Sequence, residues 1–276
     1  MVLKGELMHK INTVIKNAIR YNMPLCFGKL GGIEASHVFN YLRTNQPRLL
    51  GNTLFVNAGI YGHSEAEIKA WCDHYIEAVQ NLDYVLQWCS SQGDEAVIDM
   101  VWKGKEIFHE FEGLEPFVHG ENGWHYSLSN KKVLFISPFS DTVKSQAPDY
   151  NKIWKGAKIG EVLTVTSPYS EALTGEKPVS WYTKFRTMID KIVTLDFDFA
   201  SVGCGGFSLP LCHFIKTVMH RPCVHLGGGN QLLFGIIGKR WENNETLSKF
   251  FNKHWTRPLD HEIPKNHTLV EEGCYW

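Results

Sequence analysis

The stretch from Asp196 to Trp241, DFDFASVGCGGFSLPLCHFIKTVMHRPCVHLGGGNQLLFGIIGKRW, constrains the fold more than any other part of the chain. Phe199 to Val202 is a short apolar run that breaks into Gly203-Cys204-Gly205-Gly206. A helical pattern follows, and Pro222 to Leu226 then runs into Gly227-Gly228-Gly229. The order is strand, glycine turn, helix, strand, glycine turn, helix. Such a repeat suits a parallel sheet, because crossover helices return each strand in the same direction. Turns beyond the carboxyl ends of those strands form the ligand crevice, and glycine there lets backbone N–H groups approach a phosphate closely. A nucleotide or nucleotide-sugar site is therefore the expectation.

The rest of the chain continues the alternation. Residues 6 to 20 carry Leu7, Ile11, Val14, Ile15, Ala18 and Ile19 at helical spacing. A strand at Leu25 to Phe27 feeds a further glycine turn, Gly28-Lys29-Leu30-Gly31-Gly32-Ile33-Glu34, before a helix over 35–43. No Gly-Lys-Ser/Thr closes that turn, so it is not a P-loop. Thr53 to Ala58 and Phe117-Val118 read as short strands. Ser64 to Leu82 reads as a helix with Ser64 and Glu67 at capping-box spacing. Tyr84 to Cys89 is a buried strand, followed by a turn over 90–95 and a helix through Trp102. Lys132 to Ile136 is a strand emptying into Ser137-Pro138-Phe139-Ser140. Residues 141–155 are helical with a break at Pro148, Glu161 to Thr166 is a strand, and Val179 to Val193 an amphipathic helix. The fold class is α/β, a mostly parallel Rossmann-like sheet with helices on both faces. Residues 1–241 form the one α/β domain and residues 242–276 a C-terminal arm packing on it.

A net charge of −1 gives no broad footprint for nucleic acid or an anionic bilayer. No apolar run approaches the roughly 20 residues of a membrane span. The N-terminus is too polar for a signal-peptide core. Seven cysteines without CxxC pairs suit a reducing, cytoplasmic compartment, and thirteen histidines without HExxH spacing give no zinc signature.

Right-handed crossovers bring the turns at Lys29, Asp94, Ser137, Gly203 and Gly227 to one rim. Lys29 there suits diphosphate charge. Glu34, Asp94 and Glu95, in that order, are candidates for taking an acceptor proton or holding a metal. Acids at helix starts also complement the helix dipole. Ser137, Ser140, Lys144 and Gln146 offer hydroxyls, an amide and a cation to phosphate or sugar. Gly28, Gly31, Gly32, Gly203, Cys204, Gly205, Gly206, His225, Gly227, Gly228, Gln231 and Arg240 complete the donor-binding set, with Trp241 beside Arg240 as a stacking plane. Cys204 reads as a small buried thiol, because Val202 stands where a nucleophile elbow needs glycine. Asp196-Phe197-Asp198 has the form of a metal-binding DxD but precedes its strand, at the opposite rim.

The chain resembles a group of bacterial and viral polysaccharide-biosynthesis proteins related to the D-type glycosyltransferase fold. The segments that carry the resemblance are FGKLGGIEA, NAGIY, QGDEAVIDMVWKG, LFISPFSDTVKSQ, DFDFASVGCGGFSLPL, VHLGGGNQLLFGIIGKRW and the terminal GCYW. In that fold a turn reading Arg, any residue, Gly-Asp-Gly-Glu binds the metal and the sugar nucleotide. By resemblance it falls on Lys29 to Glu34, with Lys29 at the arginine position and Gly32 at the aspartate position. Glu34 is the metal residue so implied, for Mn²⁺ or Mg²⁺. The expected function is transfer of a sugar from a nucleotide diphosphate sugar to a glycan or lipid-linked acceptor. One rival is an S-adenosylmethionine-dependent methyltransferase, suggested by Val202 to Gly206. It is opposed by the late position of that loop and by the lack of an acid after Leu226. A non-catalytic nucleotide-sugar-binding protein is the other rival.

Overall fold

The computed structural model describes residues 2–47, 53–87, 93–109 and 114–276, with side chains described from residue 10 onward. The described strands are β1 (Cys26–Lys29), β2 (Tyr84–Leu86), β3 (Glu106–Phe108), β4 (Val133–Ser137), β5 (Val162–Thr166), β6 (Phe199–Val202) and β7 (Cys223–His225). They form one 7-stranded sheet, ordered β3-β2-β1-β7-β6-β4-β5, in which every pairing is parallel. The α/β, Rossmann-like architecture expected from the alternation is the one observed.

The helices are α1 (Val2–Tyr21), α2 (Gly32–Thr44), α3 (Thr53–Ala58), α4 (Glu65–Gln80), α5 (Asp94–Val101) and α6 (Ser140–Gln146). They continue as α7 (Tyr150–Ile153), α8 (Glu171–Thr174), α9 (Trp181–Ile192), α10 (Ser208–Thr217), α11 (Lys239–Glu242) and α12 (Glu245–Ser248). Period-2 alternation divides the strand residues between two apolar layers. Leu134 and Ile136 join α2, α4, α9 and α10 on one face, while Val133 and Phe135 join α1, α6 and α7 on the other. Both faces are covered, which is why the strands read as near-continuous apolar runs.

Two expected strands are helical. Thr53–Ala58 forms α3, burying Leu54 and Ala58 four positions apart, so helical spacing outweighs the apolar composition. Phe117 and Val118 lie in a 3₁₀ segment, Pro116–Asn122, where Pro116 sits in the first turn and its missing N–H costs no bond. The helix expected after Gly229 is likewise a 3₁₀ stretch, Gly227–Phe234, ended by left-handed Gly235. Strand β3, only Glu-Ile-Phe at the sheet edge, has too short a pattern to be read from the sequence. Cys89 and residues 90–92, expected at the end of β2 and in the next turn, fall outside the described residues. At α4 the Ser64 side chain does accept from the Glu67 N–H, but the Glu67 carboxylate reaches the His63 N–H instead of that of Ser64.

Strand order decides which turns become neighbours. From β1 the chain winds outward to β2 and β3, crosses to β4 and β5, and returns through β6 to end at β7, beside β1. The carboxyl ends of β1, β7, β6, β4 and β5 therefore follow one another along the rim, and the β1–β7 boundary is a topological switch point.

Candidate functional site

A cleft of about 690 Å³ opens along that rim, within the range for small-molecule sites. Its floor is the row of strand ends and turns that the strand order brings together: Lys29 at the end of β1 with Gly31 beyond it, Gly227 and Gly228 after β7, Gly203 to Gly205 after β6, Ser137 at the end of β4 and Ser167 after β5. Glycine at 203 is required by close approach. A Cβ there would lie 2.5 Å from the Gly227 carbonyl oxygen and 2.5 Å from the Asn230 Cβ. The two glycine turns of the opening stretch thus touch each other. Asn230 fastens them from below, accepting from Ser201 Oγ at 2.6 Å and donating to the Ile136 carbonyl at 3.1 Å.

Two cations line the cleft, each beside a carboxylate. Lys29 is buried with its Nζ 3.8 Å from Glu115 Oε1. Burial pulls its pKa down to about 8, against the opposing pull of Glu115. Arg240 pairs with Glu271 and donates to the Tyr275 hydroxyl at 3.2 Å, its guanidinium 4.8 Å from the Tyr275 ring centroid. Glu34, 8% exposed, stands in the first turn of α2. Burial raises its pKa, its own backbone N–H opposes that shift, and the nearby Glu271 charge adds to it. A carboxylate held above its usual range is suited to accept a proton near neutral pH. His225 is neutral in this setting, its pKa lowered to about 4 by burial and then by Lys29. Cys204 is driven the other way, to about 12, by burial, so it is an inert thiol at working pH.

Most of the expected set lines the cleft: Lys29, Gly31, Gly32 and Glu34 from the first turn; Ser137; Gly203, Cys204 and Gly205; and His225, Gly227, Gly228, Gln231 and Arg240. The Gln231 amide, however, donates to the Ile236 and Tyr275 carbonyls, at 3.1 Å each, and holds the chain terminus in place.

Seven expected residues do not line it. Gly28 is within β1, and Gly206 packs on Ile60 and the Ala58 carbonyl. Ser140 turns back to donate to the Ser137 carbonyl. Lys144 pairs with Asp141 on the exposed side of α6, and Gln146 donates to the Phe234 and His254 carbonyls. Asp94 is fully buried and accepts from the Glu95 N–H, while Glu95 is exposed; both follow β2, which lies outside β1 and away from the switch point. Asp196 and Asp198 sit before β6, at the amino rim, bound to Lys132.

The C-terminal residues were not among the expected site residues, yet Val270, Glu271, Tyr275 and Trp276 form one wall. The signal for Tyr275 and Trp276 was the terminal GCYW, visible in the sequence but without a partner there, and nothing singled out Val270 or Glu271. Glu115 lies in irregular chain with no periodicity to single it out. Beside it Ser167 to Ser170 form a further wall, held by Lys184, which donates to the Tyr169 carbonyl at 3.2 Å and to Glu171 at 2.7 Å.

Among the described residues, two groups of three or more side chains are close enough to hold a metal ion, and Glu34 belongs to neither. One group, Asp141, His261 and Glu262, has its Glu262 carboxylate already engaged by the Asp141 and Thr142 N–H groups at the start of α6. The donor set around Glu34 thus does not fit a Mn²⁺ or Mg²⁺ site of protein ligands alone.

No family model matches the chain, and neither a curated protein nor a solved structure is found to be similar to it. Fold and site define an α/β protein of Rossmann type with a cleft at the carboxyl rim of its sheet. No helix among the described residues is long and apolar enough to cross a membrane.

Proposed function

We propose that the chain is a glycosyltransferase, moving a sugar from a nucleotide diphosphate sugar to a hydroxyl of a glycan or lipid-linked acceptor. The observation that carries this reading is the meeting of three glycine turns, after β1, β6 and β7, in one cleft with a buried lysine and a buried carboxylate. Each turn leads into a helical start, at Gly32, Gly205 and Gly227, and such starts favour phosphate through their N–H groups and dipoles. Lys29 and Arg240 carry the cationic charge for the diphosphate and exchange their carboxylate partners for it.

In the transfer, the bond between the sugar C1 and the diphosphate oxygen breaks, and the nucleoside diphosphate leaves with the electron pair. The acceptor oxygen bonds to C1, and its proton passes to Glu34. Stabilising the leaving group is the main electrostatic task, and Lys29 and Arg240 perform it from the cleft. No step runs through a metal ion.

The test is thermal stability against UDP-, GDP-, TDP- and CMP-sugars and S-adenosylmethionine, with and without manganese, followed by release of free nucleotide. A nucleotide sugar that raises the melting temperature and is turned over supports the proposal. A shift with S-adenosylmethionine alone, or a nucleotide-sugar shift with no turnover toward any acceptor, overturns it in favour of a methyltransferase or a binding protein.

A further inference from the structure

Three buried thiols meet at the other end of the central strands. Cys26 opens β1, Cys223 opens β7, and the two are register partners in adjacent parallel strands. Partnered residues point to the same face, and there α10 brings in Cys212. The three thiols come from distant parts of the chain, yet their sulfurs lie within 4.8 Å of one another, and each residue is at most 1% exposed. Three sulfurs around an ion at a metal–sulfur distance of about 2.3 Å are roughly 3.8–4.0 Å apart, so the cluster is close to ligand geometry.

Lys216, one turn along α10 from Cys212, forms a 2.9 Å ion pair with Asp83, and Asp83 accepts from the Cys26 N–H at 2.9 Å. The Cys223 thiol donates to the Cys212 carbonyl at 3.3 Å, so strand and helix already meet at the cluster. Sulfur ligands select soft d¹⁰ ions.

We propose that Cys26, Cys212 and Cys223 hold a thiophilic d¹⁰ cation, zinc(II) or copper(I), that staples β1 and β7 to α10. The position gives the staple a purpose. β1 and β7 share a short register, Cys26 with Cys223 and Phe27 with Val224, and their far ends carry Lys29 and His225 into the cleft. An ion at the near ends fixes the spacing of that strand pair. The site stands independently of the proposed transferase activity.

The test uses the full chain, reduced and freed of metal by a chelator under anaerobic conditions, then titrated with Co²⁺ as the spectroscopic substitute for Zn²⁺, and separately with Cu(I). The expected result is one equivalent bound, with sulfur-to-metal charge-transfer absorption. In Cys212→Ser the affinity should fall by more than about 100-fold, the upper end of what losing an outer partner of a ligand costs. Cys72→Ser, a buried thiol outside the cluster, should bind as the wild type does. Absence of charge transfer with both cations in the wild-type chain overturns the proposal, whether or not Cys212→Ser folds. An unchanged spectrum in a folded Cys212→Ser overturns it too.

Discussion

Replacing Lys184 by methionine tests how one wall of the cleft is held. Lys184 Nζ lies 2.7 Å from Glu171 Oε2, with side-chain exposures of 6% and 7%, so neither charge has water to fall back on. The same ammonium donates to the Tyr169 carbonyl, and the Tyr169 hydroxyl donates to the Glu262 carbonyl at 2.5 Å, linking the wall to the C-terminal segment. Lys184→Met leaves the Glu171 carboxylate buried without its cation, and removing one partner of a buried pair costs about 3–5 kcal/mol. That is a large fraction of the roughly 5–15 kcal/mol that holds a protein folded. The paired replacement Lys184→Met with Glu171→Leu removes the orphaned charge and should recover most of the loss. An exposed pair gives the contrast: Lys69→Met, which breaks the Lys69–Asp73 pair at 47% and 50% exposure, should move the midpoint far less. Urea unfolding, read as a change in midpoint at constant slope, measures all three. A loss below about 1 kcal/mol for Lys184→Met, as for an exposed pair, or a double variant worse than the single one, would refute the reasoning.

The remaining predictions concern the cleft. Lys29 has a folded pKa of about 8 against an ordinary 10.5, so the unfolded chain binds more protons between those values and stability gains from this group as pH rises through that window. Lys29→Met should abolish that gain in urea midpoints taken from pH 7 to 10, while wild-type affinity for a nucleotide diphosphate falls over the same range; equal slopes for the two proteins would contradict it. The Glu34 carboxyl is raised from 4.5, so the folded state binds its proton more readily and stability from this group declines as pH climbs above that value. Glu34→Gln should then be more stable than wild type at pH 7 while losing roughly 10²–10⁴ in turnover, the size of a general-base contribution; a less stable glutamine variant would count against a desolvated carboxylate. Gly205→Ala places a Cβ 2.8 Å from the Ala58 carbonyl oxygen at a φ of +57°, whereas Gly156→Ala, at +80°, meets nothing within 4 Å. Thermal melts should show Gly156→Ala costing about 1–2 kcal/mol for the left-handed backbone alone and Gly205→Ala costing more, and the reverse order would show that the Gly205 turn can yield.

The sequence was sufficient for the elements whose pattern is local. The strands read at Lys132 to Ile136 and Phe199 to Val202, the glycine breaks that end strands, and the helix read at Val179 to Val193 each depend on a few neighbouring residues, and each stands in the structure to within one or two residues. It was misleading where short apolar runs fit two periods, as at Thr53–Ala58, and silent on a strand as short as Glu106–Phe108. The alternation of elements, with glycine after three strands, determined a parallel sheet and a rim of phosphate-friendly turns. It did not determine which turns adjoin. Strand order is chosen by the packing of two apolar layers, and that order set Gly203 against Gly227 while leaving Asp94 outside β1. The pairing of Lys29 with Glu115, the return of Glu271 and Tyr275 to the cleft, and the meeting of Cys26, Cys212 and Cys223 are likewise contacts between distant segments. A periodic pattern records which way a residue faces along its own element, and only the assembled sheet decides what it faces.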